Sequence, residues 1–449
     1  MKTLKVKNNW FNDSGQRLDA SYYLSDGPLT NIKLQNSPYP LSHLSNETKD
    51  IFKGNIFRRV YVDYPHTGFP FMTSSDMLKS KLHNGKFVSK KYTDVANLMV
   101  DENWILTSRS GTLGNTIYTN KEFKNFLVTD DLIRIVPNNK KVKSGFLYAY
   151  LTSKYGKGLL TQSSYGGVVK HIEPHHIEKL LIPIFPIDFQ KKIDQLISDS
   201  SNLRVQATDV LRKSHLMLSE GLKYKRGNNT RTTSLKTILS SHQSRLEASY
   251  YKSEGNQIHN FVRAKNHKKL IDISEEIYRP GIFKRHYVEK GVEFFGGAEI
   301  MKAIPQSEKK LSIAKTKHLE SLKIEEDQIL VTCGGTIGQT VLVNRFLAGK
   351  TASQHILRVK AKGIKTGYLF AFMSSDFGLK IMQSFTYGSV IPQIEPHHLE
   401  LLPVPILEEI EMDKIHEKIM AYKENVSLSI EKELEAINLV EKEIEQWQK

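Results

Sequence analysis

Apolar residues fall at helical steps along two long stretches of the chain. Behind Ile182-Pro-Ile-Phe-Pro186, the residues Ile193, Leu196, Leu203, Val210 and Met217 recur at steps of three and seven, with Ala207 and the small Ser200 and Ser214 between them. No Pro or Gly interrupts this stretch until Gly221, so the spacing predicts one amphipathic helix over 187–224. Behind Pro403-Val-Pro405, the residues Ile415, Ile419, Tyr422, Val426, Ile430, Leu434, Ile437 and Ile444 keep the same kind of spacing, with Glu and Lys on the opposite face. Two long amphipathic helices most simply bury their apolar stripes against each other as a coiled coil. The plainer alternative is that each closes its own domain.

The remainder reads as mixed α and β. Ile105–Thr119 has the pattern strand, tight Gly turn, strand, and Leu127–Pro137 is a further strand. Gly145–Leu160 has helical apolar spacing, and Pro174–Leu180 is a short helix with Pro in its first turn.

The chain also repeats itself. Arg17-Leu-Asp-Ala-Ser-Tyr-Tyr23 returns as Arg245-Leu-Glu-Ala-Ser-Tyr-Tyr251 at an offset of 228, and Ile56-Phe-Arg-Arg-Val-Tyr-Val62 as Ile282-Phe-Lys-Arg-His-Tyr-Val288 at 226. Ile105-Leu-Thr-Ser-Arg-Ser-Gly-Thr-Leu-Gly114 returns as Ile329-Leu-Val-Thr-Cys-Gly-Gly-Thr-Ile-Gly338 at 224. Tyr165-Gly-Gly-Val-Val-Lys-His-Ile-Glu-Pro-His-His176 returns as Tyr387-Gly-Ser-Val-Ile-Pro-Gln-Ile-Glu-Pro-His-His398 at 222. The copies are collinear with small loop deletions, which makes the chain a tandem duplication of a unit of about 220 residues. The expected organisation is a first globular unit over 1–186, a central long helix and start of linker over 187–226, a second globular unit over 227–407 and a distal long helix over 408–449. The fold class is α+β. The polar stretch Lys225–Thr233 joins the halves.

Charge narrows the class of partner. Lys and Arg total 64 against 48 Asp and Glu, a formal charge of +16. Residues 408–449 hold 12 acidic and 6 basic side chains, which leaves +22 on residues 1–407. A body so basic points to a polyanion, most commonly nucleic acid; the alternative is a solvated surface with no partner. The single cysteine, Cys333, allows no internal disulfide and no zinc cluster, and the first residues lack a signal peptide's apolar core. The expectation is a cytoplasmic protein without membrane association.

Candidate chemistry is sparse. Gly111-Thr-Leu-Gly114 and Gly335-Thr-Ile-Gly338 lack the Gly-Lys-Ser/Thr of a phosphate loop. As hairpin tips they let backbone N–H groups approach a phosphate, with Ser108, Ser110, Thr112 and Thr336 as short donors, or they are plain turns. The Glu-Pro-His-His pairs at 173–176 and 395–398 read as helix starts, because adjacent helical side chains diverge and seldom grip one ion. Cys333 as a nucleophile fails an internal test, since Arg109 stands at its counterpart. Glu47-Thr-Lys49 and Glu308-Lys-Lys310 match an acidic–x–Lys nuclease fragment but are not equivalent in the repeat. No methyltransferase motif or Gly-rich cofactor fingerprint is present. The copies differ at Arg109 against Cys333, Lys170-His171 against Pro392-Gln393, and Asp130-Asp131 against Gln354-His355, beside similar framework residues. That pattern suits two scaffolds reading different targets, although drift after duplication leaves similar scatter.

The duplicated Arg-Leu-Asp/Glu-Ala-Ser-Tyr-Tyr segment, the Gly-Thr-Leu/Ile-Gly hairpin, and the Tyr-Gly-x-Val…Ile-Glu-Pro…Pro-Ile run into a long helix resemble the specificity subunit of type I restriction–modification systems, or its equivalent in a related methylation-linked phage-defence system. The resemblance covers nearly the whole chain. It implies two target-recognition domains, each reading half of a bipartite double-stranded DNA site, with two antiparallel helices setting the unread spacer. It implies two partner methyltransferase subunits carrying S-adenosylmethionine and, where present, restriction subunits using ATP and Mg. This chain itself would be non-catalytic and bind no cofactor. On this reading the DNA contacts are Arg58, Arg59, Arg109, Ser110, Thr112, Tyr165 and Lys170 in the first copy, and Lys284, Arg285, Thr336, Tyr387 and Gln393 in the second. The rival functions are a self-sufficient metal-dependent nuclease and an RNA-binding or interaction scaffold.

Overall fold

A computed structural model of the chain describes residues 5–6, 8, 20–162, 171–226, 233–240, 245–387 and 392–448. The chain forms two compact units, one of Met1–Val205 with Leu428–Lys449 and one of Gln206–Ser427. The division falls inside both long helices, so each unit owns a piece of each.

The first unit is built on a four-stranded antiparallel sheet in the order Thr48–Lys53, Leu132–Pro137, Ile105–Ser108, Thr116–Tyr118. Its central strands are buried along almost their whole length, because both faces are covered and strand side chains alternate between them. Ile105, Ile133 and Ile135 enter the core beneath the helices Ser144–Thr152 and Lys154–Gln162. Leu106 and Leu132 enter the opposite core, with Met72, Phe123 and Val128. That side carries a second sheet, Tyr61–Val62, Phe87–Ser89, Gly68–Met72 and Leu127–Val128, the last pair parallel.

The second unit repeats the larger sheet in the same order with Ser274–Tyr278, Ile356–Ala361, Ile329–Thr332 and Thr340–Leu342. Its side chains alternate in the same way, Ile329, Val331, Leu357 and Val359 to the helical side, Leu330 and Ile356 to the other.

Two expected elements are each divided. Leu127–Pro137 is two strands, because Thr129-Asp130-Asp131 crosses from the small sheet to the large one. Gly145–Leu160 is two helices, broken at Ser153, whose hydroxyl accepts the Gly156 N–H at 3.3 Å.

The long helices run Ile187–Leu222 and Glu409–Glu445. In the first unit Ile193 and Ile197 share a core with Ala436, Ile437, Val440 and Ile444. Asp199 meets Lys432 at 3.0 Å while the Ser200 hydroxyl donates to the Ser429 carbonyl at 2.7 Å, the order of an antiparallel pair. The buried face shifts by one residue from the expected register at several places, Ile197 for Leu196, Leu218 for Met217 and Ser427 for Val426, and at one of them it takes charged residues. Leu203 and Leu434 are only half-buried, and their neighbours Arg204 and Glu433 face inward as an ion pair at 2.5 Å. Glu433 is buried, yet it also accepts from Tyr148 and Ser200, so its charge is not left alone. In the second unit Leu218 and Leu222 pack with Ile415 and Ile419. No helix among the described residues is long and apolar enough to cross a membrane.

Candidate nucleic-acid interface

Each unit brings three stretches of sequence to one surface: the segment after the first large-sheet strand, the loop before the second, and the glycine hairpin. The hairpin is set by its glycines. Gly111, Gly114, Gly335 and Gly338 all have φ between +71° and +80°, a region that costs residues with a Cβ about 1–2 kcal/mol. Inside each turn one hydroxyl is consumed. Ser108 donates to the Thr112 carbonyl at 2.5 Å and accepts the Asn115 N–H at 3.1 Å, and Thr332 does the same with Thr336 and Gln339. Ser108 is therefore a buried turn-closing residue rather than a phosphate donor, whereas Thr112 and Thr336 stand exposed at the tips.

The loop before the second strand is held from below by a buried arginine that was not singled out in the sequence. Arg134 is 0% exposed and donates to the carbonyls of Thr129, Leu132, Leu98 and Val128 at 2.7–3.3 Å. Arg358 does the same for Ser353, Ile356, Leu322 and Ala352 at 2.6–3.3 Å. Burial outweighs the nearby Asp130 and Glu276 carboxylates and lowers both guanidinium pKa values to about 10, which leaves them charged at neutral pH. A planar five-donor fork suits this task, since it pins several backbone oxygens at once. The clue in the sequence is an arginine flanked by apolar residues at the start of two strands, Leu132-Ile-Arg-Ile and Ile356-Leu-Arg-Val.

On this platform the first unit assembles three cations and three acids. Arg109 pairs with Glu173 and lies 3.5 Å from Asp131, Lys53 reaches Glu173 at 2.9 Å, and Arg59 reaches Asp130 at 2.9 Å. Ser110 donates to Asp131 at 3.1 Å. Burial works to raise the Glu173 carboxyl, but hydrogen bonds from Lys53 and Arg109 outweigh it and hold the pKa below the usual value.

The second unit rebuilds the surface with different residues. Cys333 replaces Arg109, so the hairpin sends no cation to the equivalent carboxylate, Glu395, which keeps the strand cation, Arg279, the counterpart of Lys53. The Tyr387 hydroxyl also donates to Glu395, at 2.9 Å. Burial again works to raise this carboxyl, while the bonds from Arg279 and Tyr387 hold it low. Gln354 takes the place of Asp130, and Arg285 donates to its side-chain oxygen at 3.2 Å. Among the described residues Arg279 and Arg285 thus face one carboxylate, where Lys53, Arg59 and Arg109 face three. Burial pushes the Cys333 thiol up to about 11, a value that suits packing and not nucleophilic attack.

The structure groups most of the expected contact residues. Arg59, Arg109, Ser110 and Thr112 share the first surface, and Arg285, Thr336, Tyr387 and Gln393 the second; Tyr387 and Gln393 exchange backbone hydrogen bonds at 2.9–3.0 Å. Arg58 and Lys284 are exposed and make no hydrogen bond or ion pair among the described residues. Tyr165 and Lys170 lie outside the described residues. Arg109 and Tyr387 are both engaged with a carboxylate. The Glu-Pro-His-His segments begin short helices, Pro174–Ile177 and Pro396–Glu400, in which the Nδ1 atoms of His176 and His398 accept the N–H of Glu173 and Glu395 at 3.0 and 3.1 Å. Of the two nuclease-like fragments, Glu47 is buried and accepts from Ser42 at 2.7 Å, while Glu308 is exposed. Among the described residues no group of three His, Cys, Asp or Glu could hold a metal ion.

Two stretches, residues 46–209 and 256–439, match the family described as the type I restriction modification DNA specificity domain. A curated relative, the type I restriction enzyme MjaVIII specificity subunit of Methanocaldococcus jannaschii, is 25% identical over 118 residues; the match covers 26% of this chain and 27% of that protein, about a quarter of its length. Among solved structures, the type I restriction-modification S subunit from M. genitalium aligns over 92% of this chain and 96% of its own, at 12% identity and a TM-score of 0.36. The HsdS subunit from Thermoanaerobacter tengcongensis aligns over 91% and 96%, at 10% identity and a TM-score of 0.29.

Proposed function

Because the chain belongs to the type I restriction modification DNA specificity family and carries two such domains, we propose that it recognises a bipartite double-stranded DNA site, each domain reading one half, and directs a partner adenine methyltransferase to it. The observation that carries this reading is the pairing of one framework with two sets of side chains. The buried arginine, the glycine turn and the acidic helix start recur in both units, while Arg109, Asp130 and Asp131 give way to Cys333, Gln354 and His355. Arg, Asp, Gln and His differ in the donors and acceptors they can offer a base edge. The hairpin tips and free cations position the backbone.

The partners complete the activity. Two methyltransferase subunits supply S-adenosylmethionine, and restriction subunits, where present, supply ATP- and Mg-dependent cleavage. The paired helices act as the spacer between half-sites: at 1.5 Å per residue a helix of 36 residues is about 54 Å long, more than one turn of B-DNA, about 34–36 Å. Selection of the full chain, with its methyltransferase, from a pool of random duplexes tests the reading. The expected product is a motif split by a fixed run of unselected positions; one uninterrupted motif, or none, contradicts it.

A further inference from the structure

The two most exposed large apolar side chains among the described residues stand at matched places in the two units. They are Ile282 at 91% and Ile56 at 85% exposure, and they occupy the same position in the duplicated Ile-Phe-Arg/Lys-Arg segment. A lone exposed isoleucine needs no explanation. The same one at matched and almost fully exposed places in two units, beside a hairpin where Arg109 has given way to Cys333, does.

The next residue fixes how each is presented. Phe57 packs edge-on against the buried Phe71 and Phe283 against Phe294, each at 5.9 Å between centroids. Arg59 and Arg285 lie over those same two rings, both at 5.5 Å, and reach the loop carrying Asp130 or Gln354. With the phenylalanine packed against that ring, the residues on either side of it are the exposed ones. Ile56 and Arg58 therefore project together, as do Ile282 and Lys284, and all four are exposed. A stiff apolar tip paired with a free cation is complementary to a nucleic-acid groove, where phosphates line the edge and thymine methyls and base faces offer apolar contact at the floor. An apolar protein surface would leave both cations unanswered.

We propose that Ile56 and Ile282 are apolar base-contacting probes, one in each half-site, seated in a groove while Arg58 and Lys284 take the flanking phosphate. This rests on the two-domain DNA reading above. The test measures duplex binding by the full chain with Ile56→Ala, Ile282→Ala or Arg58→Ala across a range of salt. Each isoleucine variant weakens binding by about tenfold with an unchanged salt slope, since no counterion is involved. It lowers discrimination in one half-site only and leaves thermal stability unchanged. Arg58→Ala flattens the slope by about one. Wild-type affinity in both isoleucine variants overturns the proposal, and so does a loss that follows failure to co-purify the methyltransferase, which would assign the side chains to a protein interface. The two readings fail separately. Indifference of the wild-type chain to target against scrambled duplex removes the half-site account, whereas wild-type discrimination with unchanged affinity in both isoleucine variants removes the probes alone.

Discussion

Arg109 and Glu173 form an ion pair that the second unit lacks, because Cys333 stands where Arg109 would be, and there the equivalent carboxylate, Glu395, keeps the strand cation Arg279, the counterpart of Lys53. The acidic helix start is thus held from the neighbouring strand in both units, by Lys53 and by Arg279, and from the hairpin in the first alone. The two surfaces keep one scaffold and present different chemistry at the hairpin.

Arg109→Ala separates the two surfaces directly. Glu173 keeps Lys53 and Asp131 keeps Ser110, so the fold survives. Binding to duplexes altered in one half-site or the other is expected to show relaxed discrimination for the half read by the first unit and none for the second. Equal relaxation in both halves would contradict the assignment.

Arg134→Met and Arg358→Met test the buried clamps. Each strips hydrogen bonds from four carbonyls, and each buried group left unsatisfied costs about 1–3 kcal/mol before relaxation and water entry. Urea unfolding should show a loss on the order of 3 kcal/mol for the affected unit. Lysine at either position should rescue little, because a single ammonium cannot span the same oxygens.

The lowered pKa of Glu173 has a definite pH consequence. The folded unit binds its proton less readily than the unfolded chain, so this group stabilises the fold above the ordinary carboxylate range. That contribution is lost as pH falls through the depressed folded value. Glu173→Gln should therefore be less stable than wild type at neutral pH and show a shallower acid loss, with the two curves converging at low pH. A constant gap between the denaturation curves at every pH would show that the charge does no such work.

Lys284→Ala reports on the free cations. Lys284 is exposed and unpaired among the described residues, so its charge is available to a phosphate. Binding should weaken on all duplex sequences alike, with the slope of log affinity against log salt falling by about one. An unchanged slope places the residue toward solvent.

Much of this architecture was legible because it rests on periodicity and repetition. The internal offsets exposed the duplication, the apolar spacing located both long helices, and the paired glycines marked hairpins whose positive φ only glycine meets cheaply. The division at 129–131 does carry a polar break, Thr129-Asp130-Asp131, but one so short between two apolar runs reads equally as an irregularity within a single strand. Glu433 escaped for a related reason. A charged residue one place from Leu434 looks like the solvent face until Tyr148, far away in sequence, is seen to donate to it. The same holds for the candidate site. Arg59, Arg109, Lys284 and Arg285 could be picked out as cations, but the partners that hold Arg109 come from residues 131 and 173, and no local pattern announces them.

Adenine methylation mapped across the host genome, with this gene intact and deleted, tests the central claim most directly. The account predicts that one split motif loses its methylation on deletion and that its two halves are the targets of the two domains. Identical methylation patterns with and without the gene would contradict it.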